Sequence, residues 1–172
     1  MKRILAVLLV LCLSVSVSGC AFFGDVADLA KNDVAKEKTF DLEGLSIELT
    51  TDFLQMDFIS EDYDFVIGDG TLSILGLKVE HKDTDLQDIT TLQFAEYFRS
   101  VMEENKPDEV TEVDSIPTMQ YTAKTDGLDQ VVVVKFYKSS DCFWILCFSA
   151  TASQFDDVSD DINKYAKTVK CE

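Results

Sequence analysis

Histidine is almost missing from this 172-residue chain: His81 is the only one. A Ser-His-Asp arrangement therefore has a single candidate base, and no G-x-S-x-G segment supplies a nucleophile for it to serve. His81 lies between Glu80 and Lys82 at an expected strand end, where an exposed, chemically plain side chain is expected. Basic residues are scarce as well, 15 Lys and Arg against 32 Asp and Glu, for a formal charge of −17. That balance repels nucleic acid and anionic headgroups, and it favours a cationic partner. The P-loop and the dinucleotide fingerprint are both missing, so no cofactor is expected. There is no internal repeat and no low-complexity segment. Residues 4–17 are free of charge, but they are too few for a membrane span of ~20 residues.

Those residues do fit a targeting signal. Lys2 and Arg3 form a positive start, and the apolar run follows directly. The next residues, Val17-Ser18-Gly19-Cys20, resemble the lipobox of bacterial lipoproteins. The resemblance implies a signal peptide over residues 1–19, removed so that Cys20 becomes the first mature residue, with a diacylglyceryl thioether on its sulfur. A cysteine is needed because a serine oxygen is a poorer nucleophile towards the lipid donor. The alternative is an ordinary secretory peptide that leaves Cys20 as a free thiol. Two acyl chains, at ~0.8 kcal/mol per buried methylene, anchor stably where one chain binds reversibly. The expected location is the cell membrane, lipid-anchored on its extracytoplasmic face. Loss of Lys2 and Arg3 with the leader would make the mature chain still more acidic.

Residues 20–38 read as a lipid-anchored tether, with a frayed helix as the alternative. Phe22 and Phe23 would lie in the interface. Residues 39–172 are of a size for one α+β domain, and 47% apolar content is ample for a core. From Thr39 the apolar period becomes two. A two-residue loop at Glu43-Gly44 would pair Leu42 with Leu45 and Phe40 with Ile47 on one face. Residues 52–64 mix aromatic and acidic side chains and read as irregular. Strands are expected at Phe65–Gly68 and Leu72–Glu80, joined by a turn at Gly68, Asp69 and Gly70.

Thr90 and Gln93 form a capping-box pattern, and Leu92, Ala95, Phe98, Val101 and Met102 then share a helical face. This predicts a helix over Thr91–Asn105, stopped by Pro107. An extended piece follows at Glu109–Ser115. Asp126-Gly127 is a hairpin signal that sets Tyr121 against Val132 and Met119 against Val134, and Ser139–Asp141 closes the next hairpin. Cys142–Ala150 is apolar on both faces, which predicts a central strand covered on both sides. A last helix is expected from Ser153 as N-cap, burying Phe155, Val158, Ile162, Tyr165, Ala166 and Val169. Its early Asp156, Asp157, Asp160 and Asp161 and its late Lys164, Lys167 and Lys170 match the helix dipole better than they match a metal site.

Other site chemistry mostly fails. Cys142 and Cys147 differ by five positions in one strand and so point to opposite faces, which excludes a mutual bridge or shared zinc. They are expected as buried small hydrophobes, and a bridge from Cys171 to one of them stays open. Asp83–Phe94 starts like a calcium loop but has Asp88 where glycine is needed and Phe94 where the bidentate glutamate belongs. A looser cation contact at Ser60–Asp64 is weaker than the reading of solvated loop carboxylates.

The element order predicts an α+β fold, one mostly antiparallel β-sheet sandwiched with two main α-helices. The segments "KTFDLEGLSIELTTDF", "LQFAEYFRSVMEEN" and "DCFWILCFSATASQFDDVSDDINKYAKTVK" resemble small lipoproteins of anaerobic Gram-positive bacteria. Their domain is similar to the PsbP-like fold, found also in a photosystem accessory subunit and a Ran-binding protein. That fold has no shared catalytic set, so only the lipidated Cys20 transfers as a site residue. The resemblance implies a non-catalytic protein-binding or accessory module; the acidic charge calls for a partner with a basic surface, and the alternative is an apolar surface meeting Phe53, Met56 and Phe58. The alternative is a carrier of a small hydrophobic ligand in a sheet–helix cavity lined by Phe98, Trp144 and Phe148.

Overall fold

The computed structural model describes residues 36–42, 44–56, 63–81, 88–102, 107–125 and 127–172. β1 (Glu37–Leu42) and β2 (Leu45–Thr50) form the expected hairpin, with Phe40 opposite Ile47 and Leu42 opposite Leu45. Gly44 closes it at φ 103°, a left-handed conformation that glycine adopts without strain. β1 begins at Glu37, so Glu37 and Lys38, read from sequence as the end of the tether, belong to the strand.

The large sheet has seven strands, in the order β3 (Leu54–Gln55), β4 (Phe65–Gly68), β5 (Ser73–Glu80), β9 (Cys142–Thr151), β8 (Leu128–Lys138), β7 (Ile116–Thr125), β6 (Thr111–Val113). All of its pairings are antiparallel. β9 is the middle strand, and its residues are buried from Cys142 to Ala150. The registers expected for Tyr121 with Val132 and Met119 with Val134 are present. Asp69 builds the β4–β5 turn by accepting from the amides of Thr71 and Leu72, each at 2.8 Å. Gly76 faces Phe65 across the next pair, and any Cβ there would overlap the Phe65 ring. The extended piece expected at 109–115 is shorter: Asp114 and Ser115 take φ of 54° and 66° and make the β6–β7 turn.

Instead of the single sheet expected from the element order, there are two. The β1–β2 hairpin stands apart, extended by β10 (Lys170–Cys171) on the other side of β2. Its apolar side, Phe40, Leu42, Leu45, Ile47 and Leu49, packs over the large sheet and is buried. Stacking face to face buries all five residues, which edge pairing with the large sheet would not do.

Helix α1 (Thr91–Val101) has the capping box read from sequence: Thr90 Oγ1 accepts from the Gln93 amide at 3.2 Å, and Gln93 Oε1 accepts from the Thr90 amide at 2.9 Å. It ends four residues before the expected Asn105, a position outside the described residues. Its core face also differs, because Phe94 is buried while Leu92 is only half-buried. Phe94 stacks on Phe143 at 4.1 Å between centroids, a contact that decides the rotation of the helix.

Helix α2 (Phe155–Ala166) has Gln154 rather than Ser153 at its N-cap position, without a capping hydrogen bond from the side chain. The Ser153 hydroxyl is engaged with Thr151 Oγ1 at 3.1 Å, which ties the end of β9 to the link and takes away the cap. Val169 and Lys170 lie past the helix end, and the helix buries Ile162, Tyr165 and Ala166 fully, Phe155 and Val158 partly.

Three layers result. Alternate residues of β9 separate them: Phe143, Ile145 and Cys147 face α1, whereas Trp144, Leu146 and Phe148 face α2 and the small sheet. Trp144 is only 1% exposed and packs 6.1 Å from Phe65. We expect Trp144→Ala to cost roughly 3–5 kcal/mol, read from the urea midpoint by circular dichroism, and the native indole to emit as a buried one; a water-like emission maximum would contradict this placement.

Candidate functional site

The residues singled out from sequence do not assemble into a catalytic site. His81 is not exposed: its amide donates to Asp141 C=O at 2.7 Å, which draws the ring edge-on to Phe143, 4.9 Å between centroids. The strand end is thus pinned down where the sequence shows only flanking charges. Cys142 lies on the opposite face of the sheet from that ring, so the two make no dyad. Cys142 and Cys147 are buried on different faces, as their spacing requires, and all three described thiols are free. Burial pushes the Cys147 thiol up to about 12, and burial with the neighbouring Cys142 pushes Cys171 up to about 11. Such thiols hold almost no thiolate at neutral pH and are inert.

Asp64, at the end of the acidic stretch 60–64, accepts from the Lys78 amide at 2.6 Å and so joins the sheet structure. Residues 60–62 and 83–87 lie outside the described residues, as do Cys20 and Phe58. Asp156, Asp157, Asp160 and Asp161 are exposed along α2. Among the described residues no group of three or more His, Cys, Asp or Glu could hold a metal ion. Two apolar groupings read from sequence are also taken apart. Phe53 is 1% exposed and belongs to the core, edge-on to Tyr165, so it offers nothing to a partner. Phe98 lies on the α1 side of the sheet while Trp144 and Phe148 lie on the other, so these three line no common cavity.

What the sequence reading missed is a buried lysine. Along β8 the two-residue period directs Val131, Val133, Lys135 and Tyr137 towards the α2 layer. Lys135 is 1% exposed, and its Nζ donates to Thr118 Oγ1 at 3.2 Å and to Asn163 Oδ1 at 3.1 Å. Tyr137 donates its hydroxyl to Ala166 C=O at 3.0 Å, and Lys167 pairs with Asp114 at 2.9 Å. Together these fasten α2 across β7 and β8. Burial pulls the Lys135 amine below the ordinary lysine range; Asp114 partly opposes this and Lys167 adds to it. The signal was present in "VVVVKFY": a lysine with valine and tyrosine two places either side, in a strand apolar on both faces, must be buried.

Beside this lysine a cleft of about 390 Å³ opens between α2 and strands β6 to β8. Thr118 and Asn163, the two partners of Lys135, are in its lining with Val133, Phe155 and Ile162, while exposed Asp108 and Glu109 stand at its rim. A second cleft of about 440 Å³ lies near the end of β8, between Thr91, Pro117, Lys138 and Cys171.

A buried ammonium without a carboxylate partner weakens the fold. We expect Lys135→Met to raise stability by on the order of 1 kcal/mol at neutral pH, measured by urea denaturation. The folded amine titrates below the unfolded one, so the unfolded chain holds more protons between the two values and the wild type gains stability as pH rises through that window. The advantage of Lys135→Met should therefore shrink towards pH ~10.4; an advantage that grows there would refute the assignment.

Comparison with protein-family models gives no match, and comparison with curated protein sequences gives none. Solved structures do match. Cyanobacterial PsbP (CyanoP) from Synechocystis superposes with a TM-score of 0.51 at 12% identity, over 87% of this chain and 100% of that one. The Ran-binding protein Mog1p of Saccharomyces cerevisiae gives 0.52 at 12% identity, over 80% of this chain and 96% of that one. A Bacteroides thetaiotaomicron protein gives 0.52 at 9% identity, over 80% of this chain and 48% of that one. At these identities the likeness is one of fold alone, and the chain has a PsbP-like fold.

Proposed function

We propose that this protein is a lipoprotein anchored through Cys20 to the extracytoplasmic face of the cell membrane, where its PsbP-like domain is a non-catalytic protein-binding or accessory module. The observation that carries the anchor is Val17-Ser18-Gly19-Cys20 directly behind a charge-free run headed by Lys2 and Arg3. No helix of the described residues is long and apolar enough to cross a membrane. Support for the binding role comes from the fold, shared with cyanobacterial PsbP and with a protein that binds Ran. It also comes from the described site residues: a histidine packed on an aromatic ring and thiols pushed upwards by burial leave no acid–base pair to assign.

Between a basic and an apolar partner surface, the geometry favours the basic one. Phe53 is withdrawn into the core, whereas four aspartates stand exposed along α2. The chain carries 32 acidic residues against 15 basic ones, and a surface of this sign steers a cationic partner.

Cys20→Ser should release the protein from the membrane fraction or leave its signal uncleaved, because the thioether requires sulfur; a cleaved variant still in the membrane fraction would sink the anchor. For the partner, crosslinking on the native membrane followed by kinetics gives the test. With a Debye length of ~8 Å at physiological ionic strength, association should slow markedly by about 0.5 M salt, and a rate indifferent to salt would exclude the acidic surface.

A further inference from the structure

We infer that the cleft beside α2 is the docking groove for a basic segment of the protein partner, one that presents a bulky apolar side chain flanked by Lys or Arg. The inference rests on the reading of a protein partner with a basic surface, and it adds where that partner sits and what it inserts. Two rims of carboxylates above an apolar floor carry it. On the sheet side, exposed Asp108 and Glu109 are in the lining of the cleft. On the helix side, Asn163 lines the cleft, and exposed Asp156 and Asp160 precede it at helical spacing on the same ridge of α2. Lys167 comes next along that ridge and pairs with Asp114 in the β6–β7 turn at 2.9 Å, so this is the ridge that borders β6 and β7. Among the described residues, no basic side chain pairs with any of these four carboxylates.

Between the rims the floor is apolar: Phe155 and Ile162 of α2, Val113 of β6 and Val133 of β8 line it. Behind the floor the buried Lys135 donates to Thr118 and Asn163, so the charge nearest the bottom of the cleft is positive. A cation is therefore disfavoured at the bottom and favoured along the lips, where the carboxylates stand. An apolar group inside with positive charges outside satisfies both conditions.

The cleft also has an open flank. β6 is the last strand of the large sheet; its Thr111 and Val113 line this cleft, while Glu112 between them points to the other face and lines the second cleft. No described strand covers the outer edge of β6, so an extended chain can run along it and across the mouth of the cleft. A volume of about 390 Å³ lies at the small end of ligand sites, the scale of one anchoring side chain rather than of a folded element. The four carboxylates flank that anchor on both sides, so the basic residues of the partner belong on both sides of its apolar one. A second copy of this chain does not fit, because a formal charge of −17 repels its like.

The test uses the full-length protein and the peptide acetyl-KKFKK-amide, with acetyl-KKGKK-amide as the probe of charge alone and hexylamine as a lone amine with a short tail. At ~0.1 M salt the first peptide should cause saturable NMR shifts of the Val133 and Ile162 methyls with a Kd on the order of 1 mM, and the glycine peptide should bind about tenfold more weakly for want of the anchor. Neutralising the helix rim by Asp156→Asn with Asp160→Asn should weaken the first peptide about fivefold. Asp157→Asn with Asp161→Asn, which removes the same charge from the neighbouring ridge and changes the helix dipole alike, should weaken it by less than about twofold. Equal binding of the two peptides, equal losses in the two double variants, hexylamine binding as tightly as the first peptide, or no methyl shifts at about 10 mM would overturn the proposal. Its failure is distinct from failure of the partner reading: association with the native partner that slows with salt yet responds equally to both double variants removes the cleft and keeps the acidic surface.

Discussion

A strand whose residues are apolar on both sides can sit only inside a sheet with a layer packed on each face. β9 is such a strand, and its burial from Cys142 to Ala150 makes the other elements necessary. One face, with Phe143 and Ile145, needs the aromatic stripe of α1; the other, with Trp144, Leu146 and Phe148, needs both α2 and the small sheet. At ~25 cal/mol per Å² of apolar surface, this two-sided burial is the dominant favourable contribution to the fold. The described acidic residues are left to the outside and enter neither core.

The parts of this arrangement set by short-range chemistry were legible in the sequence. The β1–β2 and β7–β8 registers follow from a two-residue loop and a period of two, and the start of α1 follows from Thr90 and Gln93. What escaped depends on contacts between distant residues. The cap of α2 moved from Ser153 because Thr151 competes for its hydroxyl, and no spacing rule records that competition. β10 is two residues long and exists only because β2 offers an edge. Phe53 was read as part of an irregular segment with an apolar patch for a partner and is instead core, with Tyr165 edge-on to it. His81 turned inward for a similar reason, through a backbone bond to Asp141.

Lys135 belongs to a different category. It breaks the apolar rule of its strand, and local pattern alone would have favoured another valine. Its hydrogen bonds to Thr118 and Asn163 moderate the cost of burying the charge without neutralising it. Departures of this kind from an otherwise consistent sequence concentrate at functional positions. It lies next to the cleft beside α2, where packing alone does not account for a lysine.

The small sheet has a kinetic consequence. Glu48 and Thr168 are hydrogen-bonded across 120 residues of sequence, and β10 closes on β2 over a similar distance. Contacts of such separation carry a large loop-closure entropy and form late. The α1 side of the sheet is built from residues 63–147 and can condense first, while the α2 side must wait for both ends of the domain to meet. In the native state the same inequality runs backwards. Detachment of β10 and α2 would bare Lys135 and its cleft while the large sheet and α1 stay intact.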